Sequence, residues 1–289
     1  LSSTNPPPGA SLVHQRPGWL RNFLIKSILF VVLVTLSLLV VFPLLWMVSI
    51  AFRPANETYV LKLIPDHATL DNMRHVLTAG RFPRYMFNSF FVAGTVTVLA
   101  LFFHSMAAYA LARLHFPGRE LIFSLIFSTL LVSLPVILVP LFILVKALGM
   151  VNSYAGLIIP AIFNAFGIFL LRQFYLGIPR ELEEAAIVDG AGYWRVYWNI
   201  ILPLSRPILA ALAVFFFLAN WNAFLWPLTI TTDQDLWVVQ TGIASFQTQY
   251  SSSQQYVMAA SAIVALPTIG LFLIFQRQLV ESIKTSGFK

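Results

Sequence analysis

Residues 85–112 contain no Asp, Glu, Lys or Arg. About 20 consecutive apolar residues are enough for a helix to cross the ~30 Å hydrocarbon core of a bilayer. Further long apolar runs occupy 27–52, 121–145, 154–175, 208–230 and 256–275. Only 10% of the 289 residues are charged and 58% are hydrophobic, whereas soluble domains are about one quarter charged. One water-soluble core cannot bury that much apolar surface, so the bilayer is the natural solvent. The expected fold is an all-α membrane protein with six transmembrane helices.

The first run follows Arg16, Arg21 and Lys26, as a signal peptide would. It is too long for one and lacks a small-residue cleavage site, so it reads as an uncleaved span. Residues 1–18, with Pro6-Pro7-Pro8-Gly9, read as a disordered tail. Residues 19–289 then form a single membrane domain. Pro135 and Pro140 are expected to kink the third span, and Pro160 lies inside the fourth.

An even number of spans puts both termini on one side. With both inside, the inner segments carry Arg16, Arg21, Lys26, Arg113, Arg119, Arg172, Arg180, Arg195, Arg206, Arg277, Lys284 and Lys289, which is 12. The outer segments carry Arg53, Lys62, Arg74, Arg81, Arg84 and Lys146, which is 6. The positive-inside rule therefore predicts cytoplasmic termini. The net charge of +7 is scattered over segment ends rather than gathered in a stripe, which argues against nucleic acid as a partner.

Between the fourth and fifth runs lies an amphipathic island at about 178–204. Pro179 presets a helical φ. Glu181, Glu183 and Glu184 crowd the first turn, where the helix dipole favours carboxylates. Gly190 and Gly192 end this helix, and a second short helical piece begins at Tyr193, with Pro203 helping to end it. This is a helix-turn-helix on the cytoplasmic side. Taken alone it suits an interfacial connector. A helix so short is marginal by itself, so something must pack on it.

Catalytic and metal-binding patterns are missing from the sequence. There is no phosphate-binding Gly-x-x-x-x-Gly-Lys-Ser/Thr loop, no His-Glu-x-x-His pair and no cysteine. The chain is therefore expected to be a non-enzyme. No carboxylate cluster lies inside a span, which speaks against an ion-coupled carrier, although one working alone stays open as an alternative. His104 is expected to make a helix-packing hydrogen bond rather than relay protons. Uncharged amides within spans suit interhelical hydrogen bonds. A second reading puts Asn164, Asn220 and Asn222 with Phe163, Phe166, Trp221 and Phe224 on a translocation path. Amides there would pair with sugar hydroxyls, and rings would cover apolar C–H faces. Trp226 and Trp237 read as structural. Residues 231–255 read as an outward polar loop.

The island has a further property. Glu184-Ala185-Ala186, three residues, Gly190, nine residues, then Ile200-x-Leu202-Pro203 resembles the signature loop of membrane subunits of binding-protein-dependent ABC importers. The flanks Phe169–Phe174 and Ile178–Leu182, Ala108–Arg113 with Phe116-Pro117-Gly118-Arg119, and Trp221-Asn222 with Phe224–Leu228 are similar to the carbohydrate-uptake branch. Its type member is the smaller maltose-type permease subunit. The resemblance covers roughly residues 20–289. Ala223 departs from it, since many relatives carry an acid there.

The resemblance implies a permease subunit in the inner membrane that imports an oligosaccharide or sugar-like solute, or alternatively a glycerophosphate or polyol. A solute-binding protein would deliver the solute. The island would be a coupling loop seated on a cytoplasmic ATPase dimer, and ATP and Mg would bind there rather than to this chain. A second permease subunit, a different chain, is also implied. The coupling residues would be Glu183, Glu184, Ala185, Ala186, Asp189, Gly190, Tyr193 and Arg195. Glu184 would be the first contact, and Gly190 would set the turn. Phe246, Gln247, Gln249 and Tyr250 would face the binding protein.

Overall fold

The computed structural model describes residues 18–78, 80–250 and 253–286. The tail expected at 1–18 lies outside the described residues except for its last position. Among the described residues the secondary structure is entirely helical. The order begins α1 Gly18–Ala51, α2 Asp71–Thr78, α3 Phe82–Arg113, α4 Arg119–Ser128, α5 Leu134–Ala147, α6 Tyr154–Ile162 and α7 Ala165–Leu176. It continues α8 Glu181–Val188, α9 Tyr193–Val196, α10 Leu202–Leu204, α11 Arg206–Trp221, α12 Leu225–Ile230, α13 Val239–Gln249 and α14 Gln254–Ser286.

Among the described residues, four helices are long and apolar enough to cross a membrane, or up to six spans if each of two bent pairs counts as one. The interruptions go beyond the proline kinks expected in the third span. The third span breaks between α4 and α5, whose axes meet at 108°. Ser133 is extended there and Pro135 opens α5. Proline is tolerated in the first turn of a helix but disfavoured in its interior, so a new helix starts at Leu134 with Pro135 in its first turn. Pro140 does lie inside α5. The fourth span is interrupted at Phe163 and Asn164, both extended. The fifth stops at Trp221 and resumes at Leu225. In its place, residues Tyr193–Leu204 and Arg206–Trp221 form the second bent pair, at 75°.

Residues 231–255 are not a plain loop, as the sequence suggests. A short 3-10 turn, Gln234–Leu236, leads into α13. Gly242 of α13 lies so close to the Tyr85 ring that a Cβ would overlap it. That close approach is a tertiary fact that composition does not carry.

Two apolar cores result. One joins α3, α6, α7, α11 and the residues after Gly192, around Val96, Leu157, Leu171, Tyr175, Tyr197 and Phe216. The other joins the end of α1, α2, the start of α3, α13 and α14, around Val76, Phe82, Tyr85, Trp221, Val239 and Ala260. The helix α3 takes part in both. Most of α1 faces outward, with Leu33, Leu38, Leu39 and Val40 all more than half exposed, as lipid-facing residues are in a bilayer.

Candidate functional site

The island folds as a helix, a turn at Gly190 and a second helical piece, but that piece runs on through Pro203 to Leu204 instead of ending near Ile201. Arg180 caps α8, and three glutamates occupy its first turn. Gly190 has φ +82, the left-handed region that glycine enters without a Cβ penalty. Gly192 is extended, and α9 starts after it. From Tyr197 to Ile201 the helix widens to a π turn, with the Leu202 N–H donating to the Tyr197 carbonyl. Pro203 follows directly. A proline clashes with the carbonyl four residues back, and widening the preceding turn relieves that crowding.

The tip of this loop is apolar and uncovered. Val188 is 87% exposed, Tyr193 60% and Trp194 59%. Glu184, Ala185, Asp189, Gly190 and Arg195 are exposed as well, and Ala186 is partly buried. Beside the tip lies a recess of about 130 Å³, lined by Arg113, His115, Arg180, Glu183, Glu184, Ile187 and Tyr193.

Glu183 differs from its neighbours. It is buried, and its Oε1 lies 2.9 Å from Nε of Arg113. The two atoms form an ion pair by distance but are not aligned as a hydrogen bond. Burial pushes the Glu183 carboxyl above the usual carboxylate range, and the Arg113 guanidinium pulls against it. Glu183 therefore points inward, against Arg113. Nη2 of Arg113 donates to the carbonyls of Tyr175, in the last turn of α7, and of Ile178, just beyond it. Tyr197 Oη lies 2.6 Å from Ser105 Oγ of α3. Nearby, Arg172 donates to both Glu120 oxygens at 3.0 Å and stacks 3.9 Å over the Phe123 ring. The sequence reading of Arg113 as an orientation charge missed these roles, although Arg113 ends one of the motifs quoted above.

The path candidates do not form one cluster. Asn164 is exposed and caps α7, accepting from the Phe166 N–H at 2.7 Å. Its own N–H donates to Nε2 of His104 at 3.3 Å, the packing role expected of that histidine. Phe163 is 70% exposed, and Phe166 packs on Phe215 with ring centres 4.8 Å apart. Asn222 accepts from Gln240 at 3.3 Å, and Phe224 is exposed beside it. Asn220 lines a cavity of about 150 Å³ with Val92, Leu134, Leu157, Pro160, Ala223 and Trp226. Trp221 stands apart. It is 1% exposed, and its indole N–H donates to the Val264 carbonyl at 3.3 Å. It is a packing group of the second core and does not face the cavity.

The outer candidates divide similarly. Gln247 and Gln249 are exposed on α13. Phe246 is buried against Phe82 at 5.7 Å, and the Tyr250 hydroxyl lies 3.4 Å from Nε2 of His75. Asn88, buried on α3, holds this region down. Its amide donates to the Asp235 and Trp237 carbonyls at 2.8 and 2.9 Å and accepts from the Tyr154 hydroxyl at 2.7 Å. Among the described residues, no group of three His, Cys, Asp or Glu stands close enough to hold a metal.

Comparison with known proteins bears on this arrangement. Residues 105–285 match the family model described as binding-protein-dependent transport system inner membrane component. The chain is 36% identical to the arabinooligosaccharides transport system permease protein of Halalkalibacterium halodurans, over 88% of this chain and 93% of that protein. It is 34% identical to the diacetylchitobiose uptake system permease protein of Streptomyces coelicolor, over 89% and 87%. It is 37% identical to the sn-glycerol-3-phosphate transport system permease protein of Yersinia enterocolitica, over 89% and 95%. A chain of a bacterial ABC transporter for import of the acidic polysaccharide alginate shares its fold, with a TM-score of 0.80 at 22% identity over 89% of this chain and 97% of that one. The chain belongs to the family of inner membrane components of binding-protein-dependent transport systems.

Proposed function

We propose that this chain is the permease subunit of an ATP-driven importer for a carbohydrate, an oligosaccharide or a sugar-like solute. The observation that carries the proposal is the uncovered tip of the island, where Val188, Tyr193 and Trp194 stand exposed next to a polar recess. An apolar patch rimmed by polar groups marks a contact surface. Here the partner is a cytoplasmic ATPase dimer, which would bind ATP and Mg. Glu184, Asp189 and Arg195 rim the contact, and Gly190 sets its turn. Glu183 acts from behind through Arg113.

In this reading both termini are cytoplasmic, and α13 with Gln247 and Gln249 faces a solute-binding protein on the far side. A second permease chain completes the pathway. Asn164, Asn222, Phe163, Phe166 and Phe224 are candidates to line it, and Asn220 lines the adjacent cavity. ATP binding drives a rigid-body movement that reopens the pathway to the other side, a two-state coupling between distant sites.

The relatives named for arabinooligosaccharide and diacetylchitobiose support a neutral sugar. The relative named for sn-glycerol-3-phosphate supports a second reading, a glycerophosphate. A phosphate would call for Lys or Arg, and the cavity beside Asn220 is lined by uncharged residues. The test is reconstitution with the partner permease, ATPase and binding protein in liposomes. ATP-dependent uptake of a labelled oligosaccharide, abolished by Glu184→Ala, is the expected result. Uptake without ATP, or equal uptake by that variant, would overturn the reading.

A further inference from the structure

The helix α3 reaches both apolar cores, as α11 also does through Phe216 and Trp221. It runs unbroken from Phe82 to Arg113, whereas the third and fourth spans are interrupted. Thirty-two residues at ~1.5 Å each make a rod of about 48 Å. Each end is fastened to an element that the proposed function expects to move. At the inner end, the guanidinium of Arg113 holds the carboxylate of Glu183 on α8 and the carbonyls at the end of α7. At the outer end, Asn88 holds the two carbonyls that lead into α13.

Buried ion pairs gain little stability over apolar residues of equal volume. Burial already disfavours the charged form of Glu183. A charge retained at such a seam is better explained by orientation, because one guanidinium ties a carboxylate of α8 to two carbonyls at the end of α7. Arg's planar fork suits that task, and Lys does not reproduce it.

We infer that α3 is the transmission rod between the coupling loop and α13, with Arg113–Glu183 as its inner joint and Asn88 as its outer joint. These are positioning residues, acting through the groups they hold. The inference rests on the functional reading above and specifies its route.

The test uses the complete assembly in liposomes and reads solute molecules imported per ATP hydrolysed. Glu183→Gln is nearly isosteric and removes only the charge. The paired replacement Arg113→Met with Glu183→Leu fills similar volume without the fork. Both should lower the ratio about tenfold, within the usual range of allosteric coupling. Arg113→Lys should not restore it. Asn88→Leu should lower it too, together with the stimulation of hydrolysis by the binding protein. A ratio within twofold of native in any assembled variant of the inner joint overturns the inference. Native assemblies that import solute without consuming ATP would sink the functional reading instead, so the two failures are distinguishable.

Discussion

At Arg113, α3 meets its neighbours through a charge that water barely reaches. At its other end it meets them through the neutral amide of Asn88, with ion pairs only at the rim. There Arg81 lies 2.9 Å from Asp235, with both side chains about half exposed (49% and 61%). The inner seam is thus directional and costly to break. The outer seam combines the buried Asn88 amide, the buried Ser89 hydroxyl accepting from the Val239 N–H at 2.7 Å and the packing of Phe82 and Tyr85 on α13, with an ion pair only where water reaches it. The difference fits a molecule whose loop must stay rigid on α3 while its outer surface meets a partner that comes and goes.

The comparison can be broken at several points. Arg113→Ala should have the largest effect, about 3–5 kcal/mol, because it leaves Glu183 buried without a counter-charge. Thermal unfolding in detergent measures it. Raising the pH from 5 to 8 should destabilise this variant further. A carboxyl with a raised folded pKa binds its proton more tightly folded than unfolded, so stability falls as pH rises through that pKa.

Next comes Gly167→Ala on α7. A Cβ there would overlap Nδ1 of His104 and the ring of Phe216, each on a different helix. Overpacking of this kind costs roughly 1–3 kcal/mol, and a lowered melting temperature with intact membrane insertion is the expected result. Asn88→Ala should cost about 1–2 kcal/mol by stripping the Asp235 and Trp237 carbonyls of their donor. It should also raise hydrogen exchange in α13 before any global change.

Asp235→Ala, at the exposed rim, should cost below about 1 kcal/mol, and salt should erase the effect. If it proved as damaging as Arg113→Ala, the contrast between the two ends would fall. Smallest of all is the pair of exposed His67 and half-buried Glu57, 2.7 Å apart. Hydrogen bonding to Glu57 raises the His67 pKa above 6.5, and the same bond lowers that of Glu57 below 4.5. The pair is intact between those values. It weakens as pH rises through the raised histidine value or falls through the lowered carboxylate value. A His67 titration that returns toward 6.5 in Glu57→Gln checks it.

Much of this was legible in the residues. Apolar runs located the spans, and Gly190 located the turn, because both signals are local. The breaks at Ser133, Asn164 and Asn222 were not legible, since hydropathy registers solvent preference and not axis direction. Asn164 shows why. Its side chain caps a new helix with its own oxygen, and an amide inside an apolar run reads equally well as a packing group or a path residue. Trp221 and Phe246 were misplaced for a related reason. Aromatic residues beside amides suggest a sugar site, but which side faces the core is decided by α14 and α2, far away in sequence. Glu183 and Glu184 are adjacent and chemically identical, and only the fold turns one inward to Arg113 and the other outward.

The lipid-facing first helix has one more implication. Of the other long helices, α1 packs chiefly on α14, and nearly the whole described chain separates the two. During synthesis α1 enters the bilayer long before that companion exists. It must wait there as a hydrophobic rod, content in lipid, until α14 arrives to claim it. A ribosome stalled ahead of α14 would therefore leave α1 inserted but without its packing partner.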